Sequence, residues 1–298
     1  MKKILIIGTG GQVSTNLIAL LKNQYEYEFR AVGMEQGLDL AKADTVYSQL
    51  KNLNFKPDII INAAAYTAVD TAEDERDICN NINNISVNEI AKFTTANQSL
   101  FVHYSTDYVF DGAGDKPFAE DNTKNLNPLN YYGRTKLDGE RAITKSGCDH
   151  LIFRTSWVYN DIGKNFVKTI LKLACEREEL KIVSDQIGSP TYAYDIADIT
   201  LRAIKTDKIK TGVYHLVPQE QISWHKFAVM IIDTARELGF PVKTTNLLPI
   251  LSSEFPTKAT RPLNSRLETS KLRVNFGLQL PSVQQSLTNC LKRIKAHN

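Results

Sequence analysis

The sequence predicts an α/β protein: a doubly wound parallel sheet with a smaller, mixed α/β C-terminal region. Three observations point there. Short β-branched runs alternate with amphipathic segments through the first half of the chain. One of those runs, Ile59-Ile60-Ile61, is continuously apolar, as a parallel strand covered on both faces should be. A glycine-rich turn, Gly8-Thr9-Gly10-Gly11, joins the first run directly to a helical pattern.

The elements follow in order. Lys3–Ile7 reads as a strand, and Gln12–Lys22 as a helix burying Val13, Leu17, Leu20 and Leu21. Glu28–Val32 is a second strand ended by Gly33, and Asp44 is placed to cap a helix reaching Leu53. Ile59–Ile61 is the third strand. The cluster Asn80–Asn84 reads as a turn before a helix over Ile82–Phe93. Leu100–Tyr104, Tyr131–Lys145 and His150–Arg154 continue as strand, helix and strand. Beyond residue 160 the rhythm loosens. Helical patterns lie at Phe166–Arg177, Asp195–Ile204, Trp224–Leu238 and Val283–Ile294, with strand candidates at Lys181–Ser184, Val213–Leu216 and Leu247–Ile250. Residues 1–158 form mainly a dinucleotide-binding domain and 159–298 mainly a substrate-binding region, with the chain free to cross between them.

Composition narrows the function. Apolar residues at 42% and charged residues at 23% describe an ordinary globular chain. The 36 basic and 33 acidic side chains leave a net charge of +3, too little for a polyanion-binding field, so no nucleic-acid partner is expected. No apolar run approaches the roughly 18 residues of a membrane span, so no membrane partner is expected and the cytoplasm is the expected compartment. Cys79, Cys148, Cys175 and Cys290 form no CxxC pair and are expected as reduced thiols.

The first chemical signal is the glycine turn. Gly8 and Gly11 permit a sharp turn and close approach to a pyrophosphate, and the helix from Gln12 and Val13 presents free N–H groups to it. Ser14 stands where a third small residue belongs. A glycine run also suits an ordinary tight turn. An acid about 20 residues beyond the glycines binds the adenosine ribose in NAD users. Glu35 and Asp39 occupy that region, although a solvated loop acid there is equally ordinary. No arginine follows the second strand to meet a 2′-phosphate; the local chemistry tolerates NADH and leaves NADPH open.

The second signal is Tyr132-Gly133-Arg134-Thr135-Lys136. Tyr and Lys four residues apart share a helix face. A nearby ammonium favours the phenolate and lowers the phenol pKa. Such a pair exchanges a proton with a carbonyl oxygen while hydride moves at carbon. Alone, the spacing is common on surfaces. Tyr104-Ser105-Thr106-Asp107 strengthens it, because ligands of an open parallel sheet sit at strand carboxyl ends, where the Thr106 hydroxyl reaches the same oxygen. Trp157, just past another strand end, suits a sugar platform or a core position. Arg261 and Arg266, flanking Asn264, carry the bidentate geometry that matches a diphosphate.

Strand–GxxG–helix, a strand-end Ser-Thr and a helical YxxxK, in that order, resemble the short-chain dehydrogenase/reductases with their Rossmann sheet, in the extended branch. Blocks along nearly the whole chain are similar to the dTDP-4-dehydrorhamnose reductases. They include Asn62–Asp70, His103–Phe110, Tyr132–Leu137, Phe153–Tyr159, Asp185–Thr191 and Arg261–Leu267. The resemblance implies NADPH- or NADH-dependent reduction of the C4 ketone of dTDP-4-dehydro-β-L-rhamnose. Tyr132 would donate the proton, Lys136 would tune Tyr132 and hold the nicotinamide ribose, and Thr106 would bind the substrate oxygen. It further implies cofactor contacts at Gly11, Gln12, Val13, Asp39, Leu40, Ala65, Tyr66, Thr67 and Tyr104, and sugar contacts at Thr106, Asp107 and Trp157. The alternatives are a related 4-keto-6-deoxy sugar nucleotide, with hydride delivered to give the 6-deoxytalose epimer, and a non-catalytic subunit like the regulatory subunit of methionine adenosyltransferase. Some members bridge a dimer through magnesium-binding glutamates; the matching positions here hold Asn16 and Tyr194, so no metal is expected, and the chain is a monomer or homodimer.

Overall fold

The computed structural model describes residues 1–23, 26–206 and 209–297. Strand β1 (Lys2–Ile7) leads through the glycine turn into α1 (Gln12–Lys22) and on to β2 (Tyr27–Val32). Then come α2 (Ala43–Asn52), β3 (Ile59–Asn62), α3 (Arg76–Asn80), α4 (Ser86–Asn97), β4 (Leu100–Thr106), α5 (Tyr131–Ser146) and β5 (His150–Thr155). The rest comprises β6 (Val158–Tyr159), α6 (Phe166–Glu176), β7 (Glu179–Val183), β8 (Ile187–Gly188), β9 (Thr191–Tyr192), α7 (Ala193–Ile204) and β10 (Gly212–His215). It ends with β11 (Ile222–Ser223), α8 (Trp224–Glu237), β12 (Asn246–Ile250), α9 (Ser270–Phe276) and α10 (Val283–Ala296).

Six strands form one parallel sheet in the order β10-β5-β4-β3-β1-β2. The apolar strands pack on both faces, as their unbroken hydrophobicity requires. Ile4, Ile6, Ile61, Val102 and Phe153 face a layer with Leu17 of α1 and Ile196 and Ile199 of α7. Leu5, Ile7, Ile60, Phe101 and Ile152 face Val46 of α2, Ile90 of α4 and Ile143 of α5. Each such side chain contributes roughly 1.5–3 kcal/mol. Strand order reverses at β1: the chain runs to β2 on one side, then returns to β3 on the other. The crevice outside the carboxyl ends of β1 and β3 is therefore the topological switch point, where ligands of such sheets bind.

Helices α6, α8 and α10 form a separate apolar cluster around Ile170, Phe227, Ile231, Leu287 and Leu291. The parallel pair β7–β12 lies against α8. Helix α7 and strand β10 rejoin the first half, because α7 packs on α1 and β10 extends the sheet beyond β5.

Local readings change at three places. Asp44 lies inside the first turn of α2, whose cap residue is Lys42; a carboxylate there still meets the positive end of the helix. The asparagine cluster is helical rather than a turn: α3 runs through one π turn, Asn81–Ile85, into α4. Tertiary bonds override the poor helix propensity of asparagine there. Asn83 donates to the Tyr66 carbonyl (3.0 Å) and accepts from the Tyr66 N–H (2.9 Å). The short helix α9 carries no strong apolar period and was not foreseen.

Candidate active site

The cofactor side is built on backbone. Gly8 has φ +99°, and a Cβ there would lie 3.1 Å from the Ala64 nitrogen, so the turn presses on the end of β3. Gly10 has open space where its side chain would be. Ser14 is buried, and its hydroxyl accepts the Gly11 N–H (3.0 Å). The serine in place of a third glycine thus secures the turn from within. The next amides open α1 with no acceptor inside the helix. The Gln12 side chain accepts from Asn165 (3.2 Å), and Val13 is half-buried against the sheet layer.

Around this turn stand the other expected contacts. Glu35 is exposed on the turn after β2. Asp39 is half-buried and accepts the Ala41 N–H (3.0 Å). The Leu40 side chain is buried in the core, and its carbonyl accepts from the Ser86 hydroxyl (2.7 Å). Ala65 and Thr67 are exposed beyond β3. Tyr66 between them donates its hydroxyl to Glu75 (2.7 Å), and desolvation with that bond pushes its pKa up to about 12. The Tyr104 ring turns toward α7, where its hydroxyl shares a hydrogen bond with Thr200 (2.8 Å).

The side expected to transfer the proton is built by helix α5. Asn130 caps it, accepting the Gly133 N–H (2.8 Å). Gly133 then lets the first turn lie directly on the turn after β4: a Cβ there would be 2.2 Å from the Tyr108 carbonyl oxygen. That contact sets the Tyr132 ring edge-on to Tyr108, with ring centroids 5.7 Å apart, and Thr106 is among the groups that face the phenol. Thr106 also accepts the Tyr108 N–H (3.2 Å) and donates to Asp107 (3.1 Å). Asp107 is buried with Oδ2 unpartnered, and burial lifts its pKa to about 6 against the hydrogen bond from Thr106.

Lys136 lies one helical turn beyond Tyr132 and is 2% exposed. Its Nζ donates to the Tyr104 carbonyl (2.6 Å) and lies 3.2 Å from His103 Nε2. Burial lowers its pKa to about 8, and Glu140 pulls it back upward. The ammonium expected to depress the phenol is thus directed at Tyr104 and His103. Burial instead raises the Tyr132 pKa, so the phenol keeps its proton and is a proton donor at neutral pH. Behind Lys136, Glu140 forms a buried bidentate pair with Arg154 (2.9 and 2.7 Å) and accepts from Ser105.

The third side comes from the C-terminal region. Trp157 adopts φ +49° and stacks on Trp224 with ring centroids 3.6 Å apart, so one indole face is taken. Gly188 packs against its edge, where a Cβ would meet Cε2 at 2.7 Å. Arg261 pairs with Asp70 (2.5 Å) and reaches the Tyr108 hydroxyl (3.3 Å). Asn264 is buried and spends its amide on the Ala113 and Lys116 carbonyls, while its oxygen accepts from Arg266 Nη1 (3.0 Å). Its side chain therefore builds the loop and aims Arg266.

Asn16 donates to the Gln12 carbonyl and to Asn160, and the Tyr194 ring lies under Arg293. Among the described residues no three His, Cys, Asp or Glu side chains group as metal ligands, and no helix is long and apolar enough to cross a membrane. The four cysteines are free thiols. Sequence reasoning gave no role to Asn62, His103 or Gly133. Polar residues inside otherwise apolar buried strands were the available signal for the first two.

Residues 1–296 match the family model described as RmlD substrate binding domain. The chain belongs to that family. The dTDP-4-dehydrorhamnose reductase of Escherichia coli (strain K12) is 42% identical over 297 residues, 98% of this chain and 97% of that protein. The Salmonella typhimurium protein of the same name is 48% identical over 76% of each chain. The crystal structure of dTDP-4-dehydrorhamnose reductase from Bacillus anthracis in complex with NADP superposes with a TM-score of 0.89 at 35% identity, covering 98% of this chain and 99% of that one.

Proposed function

We propose that this protein is an NADPH-dependent reductase, tolerant of NADH, of a nucleotide-linked 4-keto-6-deoxy sugar: dTDP-4-dehydro-β-L-rhamnose, giving dTDP-β-L-rhamnose. The observation that carries this is the placement of Tyr132 against Thr106 at the carboxyl end of β4, with the glycine turn opening onto the same crevice. The names of the full-length relatives support the substrate, and the NADP complex of the Bacillus anthracis protein supports the cofactor.

The residues fit a dinucleotide. The open space at Gly10 and the free amides starting α1 suit a pyrophosphate. Glu35 and Asp39 at the rim suit ribose hydroxyls, Ala65–Thr67 line the crevice floor, and Lys136 would hold the nicotinamide ribose. A bound nicotinamide supplies hydride to the carbonyl carbon. Tyr132 donates its proton to the carbonyl oxygen as negative charge develops there. Thr106 turns its hydroxyl from Asp107 toward that oxygen and holds the sugar in line. Arg266 meets the diphosphate, and the uncovered face of Trp157 borders the sugar.

The test is nicotinamide absorbance with purified protein and dTDP-4-dehydrorhamnose, with product stereochemistry at C4 read by NMR. Oxidation giving the rhamno product is expected. Tyr132→Phe should lower turnover by roughly 10²–10⁴-fold. Unchanged turnover removes Tyr132 from the mechanism, a talo product changes the sugar, and cofactor binding without oxidation overturns the reductase reading.

A further inference from the structure

Beneath Lys136 lies a chain of hydrogen bonds whose directions are determined at one end. The Ala64 backbone N–H donates to Asn62 Oδ1 (3.1 Å). A backbone N–H can only donate, so the orientation of the Asn62 amide is settled, and its NH₂ group faces His103 Nδ1 at 3.2 Å. Nδ1 must therefore accept. A neutral imidazole accepts at one nitrogen and donates at the other, so the ring proton sits on Nε2. Nε2 faces Lys136 Nζ at 3.2 Å. An ammonium has three donors and no lone pair, and would set N–H against N–H. A neutral amine accepts from Nε2–H and still donates to the Tyr104 carbonyl (2.6 Å).

We propose that Asn62 and His103 form a positioning relay that holds Lys136 as a neutral amine in this arrangement, so that the lysine takes up a proton before it can act as a cation in the reductase site. This deepens the function proposed above and rests on it for the role of Lys136.

Burial agrees with the geometry. It pushes the His103 pKa well below the usual imidazole range, which keeps the ring neutral, and lowers that of Lys136 to about 8, the direction that the relay carries further by facing the amine with an N–H donor. The other groups facing the amine have been placed. Glu140, on α5 itself, favours the ammonium, but it is engaged by Arg154 of β5 and Ser105 of β4. Cys79 of α3 is a buried thiol with a raised pKa, sharing a hydrogen bond with Thr135. Tyr104 of β4 offers its carbonyl. His103 itself packs against Phe101.

Two variants reverse or remove the directing N–H. Asn62→Asp still accepts from Ala64 but must also accept from His103, moving the ring proton to Nδ1 and turning a bare Nε2 toward the lysine. His103→Asn keeps an acceptor for Asn62 and deletes the N–H facing Lys136. The experiment is NMR of the purified protein: the ¹⁵N shifts of the His103 ring, and the titration midpoint of Lys136 read at its ε carbon, assigned with Lys136→Met. The expected result is an Nε2–H tautomer in the parent, a Lys136 midpoint near or below neutral pH against the ordinary lysine value of about 10.4, and an upward shift of about one pH unit or more in either variant. An Nδ1–H tautomer, or a Lys136 midpoint well above neutral pH in the parent, overturns the proposal even if neither variant folds. Folded variants with unmoved midpoints overturn it as well. Lys136→Met separates the two readings: parent-like turnover would remove Lys136 from catalysis while the tautomer and midpoint still decided the relay.

Discussion

Gly133→Ala asks whether the contact of α5 with the turn after β4 sets the geometry of proton transfer. The added Cβ would lie 2.2 Å from the Tyr108 carbonyl oxygen and 3.2 Å from Pro128 Cβ. A carbon and a carbonyl oxygen approach no closer than about 3.3 Å, so the helix must move by about 1 Å. Inserting a methyl group into a packed site costs roughly 1–3 kcal/mol, while alanine over glycine in a helix returns up to about 1 kcal/mol. The net loss is about 1–2 kcal/mol, and the fold survives. The catalytic consequence is larger. Tyr132 precedes Gly133, and a displacement of about 1 Å in a catalytic group costs roughly 10²-fold in rate. The assays are a denaturant melt and steady-state kinetics. The expected result is a modest loss of stability, kcat down roughly 10²-fold, and an unchanged KM for NADPH, whose phosphates are proposed to meet the glycine turn and α1 instead. A variant that loses stability but keeps the parent kcat refutes the reasoning, because the contact would then serve packing alone.

Other perturbations address single residues. The Asp107 pKa is raised from 3.8 to about 6, so the folded protein binds that proton more tightly than the unfolded chain. Its contribution to stability is greatest below pH 4 and is lost as pH rises through 6, roughly 3 kcal/mol in all. Asp107→Asn should therefore gain stability over the parent between pH 4 and 7; a difference constant with pH in denaturant melts contradicts this. Arg266→Ala should raise KM for the sugar nucleotide roughly tenfold or more, the worth of one charged hydrogen bond; an unmoved KM makes Arg266 structural. A chelator should leave turnover intact, since the Asn16 amide is spent on Gln12 and Asn160. Chelator-sensitive activity would mean that a metal binds elsewhere.

What could be read from the sequence is what local geometry determines. The strand–glycine–helix junction needs only β1, Gly8–Gly11 and α1, all contiguous. The Tyr132–Lys136 spacing needs only a helix. Less legible were features fixed by partners remote along the chain. Gly133 and Gly139 look like flaws in a helix until the Tyr108 and Asn83 carbonyls appear, 2.2 and 2.3 Å from where their Cβ atoms would be. The asparagine cluster reads as a turn until Asn83 is seen bridging the Tyr66 backbone and Thr135. Asn264 reads as a ligand contact until its amide is found holding residues 113 and 116.

The same distinction explains why the motif put the two residues on one helix face and misjudged their electrostatics. The YxxxK spacing puts a tyrosine and a lysine on one face, but says nothing about where the ammonium points or how dry its surroundings are. Those depend on β4, which presents the Tyr104 carbonyl and His103 to Nζ, and on the burial that both groups share. In low dielectric each ionised form is penalised, so the phenol rises and the amine falls, and the two pKa values move apart rather than together. A tyrosine that keeps its proton and a lysine that readily loses one suit the proposed reductase: the proton to be donated would be retained until hydride arrives, and the cation that supports its departure would form when the lysine is drawn from its resting partners.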